Sequence, residues 1–469
     1  MKAKLKYNFI LVSALITLLI LILYFICKLR PTFDDWTYIT TPDNGKDICR
    51  NILPFWSYWR PFDAILGLIL SWYHSLFPYL NHIIIFIYHI GCTIFIYKTG
   101  KKIGYNNIAL IVCTTTYFIY PGVLGTVFSI DSTNQASSQF WGLAGLYIYL
   151  SSFRHRTFYW IICTIISILC KENGMVWILI PPVISYTFNG DRKNVIIKHI
   201  FIGIAISILY FIIRYNLPSE SVDINKAYIN WNITKKAREL LKFIMLTWIP
   251  VDHISILHTP SRNIILSLVT TLLVIPFLYI TYFAQRKHLF EKKYATLFLC
   301  LFIASSPHLL TFFTTMHAYT CVTFVSLCFG YLVNYVQNKN NIIITYSMFV
   351  LSCFITDIHH WIKAYESGMD GYKMAKEAIE GTKKATDKVK LIVIKDNYPK
   401  YSSFAVIPVY SFGWGNAARN YTDYAWPKYI DSVDLDEEDI TDKVISQAFE
   451  EGYRVIWIAY KNNIKVIEK

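Results

Sequence analysis

The chain of 469 residues has few charged residues. Asp, Glu, Lys and Arg make up 16% of it, against roughly 25% in soluble domains. Hydrophobic residues make up 54%, and the mean hydropathy is +0.37. This balance excludes a soluble globular protein, and the abundance of apolar residues excludes a disordered one. The sequence also has no glycine-rich phosphate loop, so neither ATP nor nucleotide-sugar chemistry is supported.

The ten cysteines show no paired spacing, which argues against a metal site or a disulfide framework. The formal net charge is +14, but the basic residues are dispersed in short loops between apolar runs. Membrane topology produces this distribution, so we expect a lipid bilayer as partner and no nucleic acid. Aromatic residues, at 17%, suit the interfacial belts of a membrane protein.

About eleven apolar runs are candidates to cross a hydrocarbon core about 30 Å thick. The first, residues 8–27, follows three lysines and has no small-x-small cleavage site behind it, so we expect an uncleaved anchor with a cytoplasmic N-terminus. The other spans are predicted at residues 82–97, 106–123, 137–152, 157–170, 174–188, 197–213, 263–283, 294–312, 319–336 and 341–357.

Counting spans from a cytoplasmic N-terminus places every short basic loop inside, as the positive-inside rule requires. These loops are residues 98–105, 153–156, 189–198, 284–293 and 337–340. The loops that hold most of the acidic residues fall outside. The count holds only if 61–77 and 240–251 do not cross, so we expect them to be juxtamembrane segments at the outer face.

The composition changes to charged and polar after Thr356. We therefore expect two domains: a transmembrane domain at residues 1–357 and an extracytoplasmic α/β domain at 358–469. Helices are predicted at about 359–388 and 440–452, strands at 389–395 and 404–410, and a hairpin at 454–460 and 464–468 turned at Asn462 and Asn463. The predicted fold is thus mainly α, a polytopic helical bundle in the plasma (inner) membrane with a small outer domain.

The most distinctive polar motif is Thr32-Phe33-Asp34-Asp35-Trp36, directly after the first span. Adjacent carboxylates at a membrane surface are costly unless they have partners or a function. They are candidate catalytic groups. A polar stop after an anchor helix is the alternative interpretation.

Two further motifs supply basic groups on the predicted outer side. Arg60, in Tyr58-Trp59-Arg60-Pro61, can bind a phosphate bidentately, or it can extend to ordinary lipid headgroups. Lys171 and Glu172 lie in a tight turn between two apolar runs and form either a functional pair or a self-neutralising one. Asp131 and His308 are candidate acceptor-binding or supporting residues, with a helix cap and a structural histidine as the respective alternatives.

Together these motifs resemble the GT-C superfamily of membrane glycosyltransferases. The resemblance is closest to members that use polyprenyl- or dolichyl-phosphate sugars, such as protein O-mannosyltransferases and bacterial aminoarabinose transferases. It covers about residues 1–190: an anchor, an acidic pair, a Tyr-Trp-Arg-Pro start to a juxtamembrane helix, an Asn-His start to the second span, and a Cys-Lys-Glu-x-Gly turn. Several relatives have Asp-Glu where this chain has Asp-Asp, which leaves the catalytic carboxylate open between Asp34 and Asp35. Position in the motif favours Asp34.

The resemblance implies a sugar donor whose isoprenoid tail lies in the bilayer and an acceptor that is a glycan, a lipid or a protein. A carboxylate would act as general base on the acceptor hydroxyl. Cationic groups would stabilise the departing phosphate, and Glu172 would orient Lys171. The candidate cations are Arg60, Lys171, Arg214 and Arg262. No cofactor is required on this account, and a divalent metal is left open.

Two other classes remain as alternatives. A transporter or a lipid-carrier flippase would place ionisable residues near mid-membrane, whereas the predicted spans are nearly free of charge. In an anchoring or assembly protein, the outer domain would bind a partner and the acidic loop would be incidental.

The topology has a direct test. An alkaline phosphatase fused after residue 357 should be active and a green fluorescent protein fused there should be dark, because an odd number of predicted spans places this point outside the cytoplasm. Alkaline phosphatase and green fluorescent protein fusions measure this, and fluorescence with an inactive phosphatase at that position would reverse the side of every candidate residue.

Overall fold

A computed structural model describes residues 20–40, 59–76, 82–216, 232–257, 263–308, 313–383, 386–395, 408–421 and 426–469. Within these ranges the chain is mainly helical, with a small sheet near the C-terminus. The helices are α1 (20–28), α2 (Asp34–Thr40), α3 (Pro61–Leu76), α4 (Ile83–Lys102), α5 (Asn107–Ile119), α6 (Pro121–Val127), α7 (Thr133–Tyr149), α8 (Arg156–Cys170), α9 (Val176–Phe188), α10 (Lys193–Tyr215), α11 (Ile233–Thr247), α12 (His253–Leu257), α13 (Ile264–Leu278), α14 (Lys292–Ser305), α15 (Thr315–Val333), α16 (Lys339–Gly381), α17 (Asn416–Tyr421) and α18 (Asp442–Glu450).

In the described ranges, five helical segments are long and apolar enough to cross a membrane: α4, α10, α13 with the π-turn that extends it to Phe283, α15 and α16. This indicates a membrane protein. The eleven predicted spans are not confirmed. The first predicted span, 8–27, lies mostly outside the described residues, of which α1 covers only 20–28. Helices occur at the remaining predicted positions, but α7, α8, α9 and α14 have only 17, 15, 13 and 14 residues. A perpendicular span needs about 20 residues.

The predicted span at 106–123 is bent. Helices α5 and α6 meet at an angle of 46°, and the pair would form a sixth span if it crossed as one. Pro121 causes the break, because a proline at the first helical position lacks the N–H that would continue the hydrogen-bond ladder.

Helix α15 forms the centre of the bundle, and 89% of its apolar 18-residue stretch is buried. Its polar side chains face α7: Gln135 Nε2 donates to Thr320 Oγ1 at 3.0 Å, and Gln139 Nε2 donates to Thr323 Oγ1 at 2.6 Å. Such bonds hold helices together where no water competes for the polar groups. The start of α7 is therefore fixed against α15.

The turns predicted to be cytoplasmic gather at one end of the bundle. These turns are linked by an ion pair, a cation–π contact and hydrogen bonds. The pairs are Arg156 with Asp191, Lys292 with the ring of Tyr186, Asn106 with Asn334, and Glu291 with the hydroxyls of Tyr331 and Tyr335. Among the described connections, those at 124–136 and 171–173 lie at the opposite ends of the helices that they join. The grouping matches the predicted count, while the side of the membrane that each end faces stays a prediction.

The C-terminal sheet has four strands in the order β2-β1-β3-β4. Strand β1 (Lys388–Ile394) is parallel to β2 (Tyr429–Leu435) and β3 (Val455–Tyr460), and β3 forms a hairpin with β4 (Asn463–Glu468). One face of β1 packs on α16, and the other packs on α18. Coverage on both faces explains the continuous apolar run at residues 391–394 of this strand.

The predicted strand at 389–395 and the terminal hairpin are confirmed. The predicted strand at 404–410 is wrong where it can be checked. Residues 404–407 lie outside the described ranges, and Pro408–Gly415 forms a 3₁₀ segment. Pro408 cannot donate to a sheet ladder, and Gly413 and Gly415 adopt positive φ values of 58° and 92°, which break an extended strand.

Helix α16 has 43 residues and is about 65 Å long. It runs without a break across residue 357, where the sequence predicts a domain boundary, and ends at the sheet. The bundle and the C-terminal sheet are therefore joined by one continuous helix.

Candidate active site

The candidate residues converge at the end of the bundle opposite the basic turns. Asp34 and Asp35 begin α2, Arg60 precedes α3, and Asp131 lies in the short 3₁₀ turn before α7. Lys171 and Glu172 lie between α8 and α9. Of the nine residues predicted for the site, these six and His308 come together.

Asp35 is fully buried and accepts three hydrogen bonds. The donors are the Thr32 amide at 3.1 Å, the Ser129 hydroxyl at 3.1 Å and the Asp131 amide at 2.9 Å. Burial and the charge of Asp131 raise the pKa of the Asp35 carboxyl, and the three donors oppose that shift. Asp35 thus links the segment between α1 and α3 to the turn before α7.

Asp34 is half-buried, and no described residue donates a hydrogen bond to its carboxylate. Burial, and then the negative charge of Asp131, raise the pKa of Asp34 to about 7. The preceding residue, Phe33, has a φ of +53°, which is rare for a side chain of its size. A carboxyl group with this pKa can take up or release a proton near neutral pH.

Asp131 is half-buried and is oriented by two neighbouring hydroxyls. Its Oδ1 accepts from Ser132 Oγ at 3.2 Å and lies 2.6 Å from Ser129 Oγ, which shares its single proton between Asp131 and Asp35. Burial raises the pKa of Asp131, while these hydroxyls and the charges of Lys171 and Arg60 act in the opposite direction.

Arg60 and Glu172 form a bidentate ion pair. Nε donates to Oε2 at 2.8 Å, and Nη2 donates to Oε1 at 2.7 Å. Burial lowers the pKa of Arg60, but the charge and hydrogen bonds of Glu172 together with the charge of Asp63 outweigh it, so the net shift is upward. Two parallel bonds fix the plane of the guanidinium, so the start of α3 is attached to the turn after α8.

Lys171 does not pair with Glu172, contrary to the expectation that Glu172 orients it. Its ammonium donates to Asn134 Oδ1 at 3.1 Å and contacts Met316 Sδ at 2.7 Å. Burial, and then the charge of Arg60, lower the pKa of Lys171 to about 8. The reason for the different pairing is that Arg60 presents a two-pronged donor, which Glu172 can bind through both oxygens.

His308 is buried beside His317, with ring centroids 4.0 Å apart. Burial, and then the charge of Lys171, lower the pKa of His308 to about 3. His308 therefore stays neutral at physiological pH and shapes the site without contributing charge.

The two reserve cations are not placed. Arg214 lies in α10, but its side chain is outside the described part of the structure, as is the whole of Arg262. Among the described residues, no group of three or more His, Cys, Asp or Glu side chains could hold a metal ion. The requirement for a metal stays open.

Two further residues of the cluster, Asp63 and Asn134, were not predicted from the sequence. Asp63 lies one turn after Arg60 on α3, and Asn134 Nδ2 lies 3.5 Å from its Oδ2. Asn134 also binds Lys171, so it bridges an acid and a base. The available signal was the position of Asp63 in the first turn of the helix that follows Arg60, which keeps the two side chains near the same helix end.

Asp357 was missed for a different reason. The sequence places it at the domain boundary, whereas it lies within α16, is buried, and has no hydrogen-bond partner for either carboxylate oxygen among the described residues.

Hydrogen bonds from the C-terminal region hold the Thr32–Trp36 motif in place. The Thr32, Ser367 and Ser411 hydroxyls form a chain with successive distances of 2.6 Å. The indole of Trp36 donates to the Ser411 carbonyl at 3.1 Å. Residues on both sides of Asp34 and Asp35 are thereby held by α16 and by the 408–415 segment.

The site contains carboxyl groups whose pKa values are raised by burial, and they lie in one cluster with the cations Arg60 and Lys171. It can accept a proton at Asp34 and can stabilise an anion near Arg60 and Lys171. These are the two requirements of a displacement reaction with an anionic leaving group.

No protein-family model matches this chain, and no curated protein matches it significantly.

The different environments of the two adjacent carboxylates predict different effects on stability. Asp35→Asn replaces an acceptor oxygen with an NH₂ group, which would face the hydrogen-bond donors around it. We expect the free energy of unfolding to fall by about 1–3 kcal/mol. Asp34→Asn removes no hydrogen bond between described residues and should leave thermal stability close to that of the wild type. Thermal unfolding of the purified variants in detergent measures the difference, and equal losses would show that Asp35 is not the structural member of the pair.

Proposed function

We propose that the chain is a membrane glycosyltransferase that moves a sugar from a polyprenyl-phosphate donor to an acceptor hydroxyl. The observation that carries the proposal is the half-buried Asp34, with a pKa of about 7, in one cluster with Arg60 and Lys171. The resemblance of the motifs to the GT-C superfamily supports the same reaction.

In this reaction Asp34 is the general base. It accepts the proton of the acceptor hydroxyl while the hydroxyl oxygen attacks the anomeric carbon of the donor sugar. The bond between that carbon and the phosphate oxygen breaks, and the phosphate leaves with the electron pair. A base contributes most when its pKa lies near the working pH.

Arg60 and Lys171 stabilise the departing phosphate. The lipid phosphate is already a stable anion, so no strong general acid is needed. Lys171, with a pKa of about 8, stays mostly protonated at neutral pH and can contribute its charge. Glu172 orients the guanidinium of Arg60 through two hydrogen bonds, and Asp131 and His308 line the same cluster. Arg214 and Arg262 remain reserve cations.

The location of the site suits a donor anchored in lipid. Lys171 contacts Met316 at the start of α15, a helix long and apolar enough to cross a membrane. A donor phosphate at the membrane surface would then be level with the cluster while the isoprenoid tail stays in the bilayer. We place the enzyme in the plasma membrane with its N-terminus in the cytoplasm and the site outside. The acceptor is a glycan, a lipid or a protein.

Transport is the second candidate function. Asp357 is the observation in its favour, because buried ionisable groups within membrane helices mark ion and substrate pathways in transporters. Loss of transport in Asp357→Asn with an unaffected Asp34→Asn would favour this alternative.

Asp34→Asn should lower sugar transfer by about 10²-fold or more, because the amide cannot accept the proton. Mass spectrometry of surface glycans and lipids, with and without the gene, first identifies the transferred sugar. Transfer from the matching polyprenyl-phosphate sugar by the purified variant then gives the rate.

Asp436→Asn is the matched control, because Asp436 is an exposed carboxylate in the C-terminal region and should keep the wild-type rate. Wild-type transfer by Asp34→Asn would remove Asp34 as base. A larger loss in Asp35→Asn, in protein whose thermal stability equals that of the wild type, would assign the role of base to Asp35.

The pH profile should have an acidic limb near pH 7. Asp34 acts as base only when deprotonated, and its raised pKa of about 7 means that activity is lost as the pH falls through that value. Asp131→Asn removes a negative charge that raises this pKa, so the limb should move to lower pH. Transfer rates measured from pH 5 to 9 test this, and an unmoved limb in Asp131→Asn would contradict the coupling between the two carboxyls.

A further inference from the structure

An aromatic cluster connects the acidic motif to the C-terminal region. The rings of Phe33 and Trp414 lie 4.9 Å apart with an interplanar angle of 44°. Tyr410 lies 6.3 Å from Phe33 and 5.8 Å from Trp414. Phe33 and Trp414 are half-buried, and both pack against the hydrophobic core of the C-terminal region.

Both members of this pair have unusual backbones. Phe33 has a φ of +53° and Trp414 a φ of +50°, and the only other described non-glycine residue with positive φ is Lys461. Such conformations persist where the surrounding structure enforces them, and they concentrate at functional sites. Here the two strained residues belong to different regions of the chain and contact each other.

The contact is also made by the backbone. A Cβ atom on Gly413 would lie 2.8 Å from the Phe33 carbonyl oxygen, so only glycine permits this approach. The 408–415 segment is fixed by the bond from the Trp36 indole to the Ser411 carbonyl. Trp414 is therefore held next to the residue that precedes Asp34.

We propose that Phe33 and Trp414 form an acceptor subsite that binds the apolar face of a pyranose ring, so that the acceptor is a carbohydrate. The inference rests on the proposed function of Asp34 as base. The C–H face of a sugar ring is apolar and weakly positive, and the face of an aromatic ring is weakly negative. Because Phe33 directly precedes Asp34 in the chain, a sugar bound on this pair would lie close to the proposed base.

Binding can be measured without turnover. The full-length protein is labelled with 5-fluorotryptophan, and the Trp414 resonance is assigned by its absence in Trp414→Phe. We expect this ¹⁹F signal to shift when maltotriose, mannotriose or chitotriose is added, and not when a serine-containing peptide is added. A signal that none of the sugars moves, or that the peptide moves equally, would overturn the proposal.

The same titration on Asp34→Asn separates the subsite from the reaction. The Trp414 signal should still shift, because stacking does not need the base. A shift with unimpaired transfer in Asp34→Asn would support the subsite and refute the base. Loss of transfer in that variant without any shift would support the base and refute the subsite.

Kinetics supply the second readout. Trp414→Leu should raise the acceptor KM about tenfold and leave the donor KM unchanged, whereas Trp414→Phe should keep most of the affinity. Trp426→Leu is the matched control, because Trp426 packs on the same hydrophobic cluster and should keep the wild-type KM. An equal rise in both KM values, or an equal effect of Trp426→Leu, would show that Trp414 only packs the domain.

Discussion

The buried carboxylate of Asp35 is the interaction on which the site depends. It accepts bonds from the Thr32 amide and from two groups in the 129–131 turn. A carboxylate removed from water is costly unless such donors compensate. Because these donors come from two separate segments, the bonds fix the segment between α1 and α3 against the start of α7. Asp34 is then carried to its position by its neighbour, and no described residue donates a hydrogen bond to its carboxylate.

The rest of the cluster extends from this point. Asp131 supplies an amide to Asp35 and a negative charge to Asp34, so one residue both fixes and tunes the pair. Arg60 and Lys171 are positioned by Glu172 and Asn134. On the other side, α16 and the 408–415 segment hold Thr32 and Trp36. The C-terminal region is therefore part of the site's framework.

The sequence predicts which motifs share an end of the bundle, because counting apolar runs settles this without knowing the packing. Asp34, Arg60, Lys171 and Asp131 gather as that count requires. It does not predict pairing across long separations, such as Arg60 with Glu172, because side-chain geometry decides between competing partners. The continuity of α16 was also missed, since charged residues after Thr356 look the same in a soluble helix and in the extension of a span.

The most direct test of the central claim is a cryo-EM structure of the full chain in lipid nanodiscs with a polyprenyl phosphate bound. We expect the phosphate within hydrogen-bond distance of Arg60 and Lys171, the isoprenoid tail against the apolar helices, and Asp34 facing the position of the sugar. A phosphate bound at the opposite end of the bundle, among the basic turns, would contradict the assignment of the site.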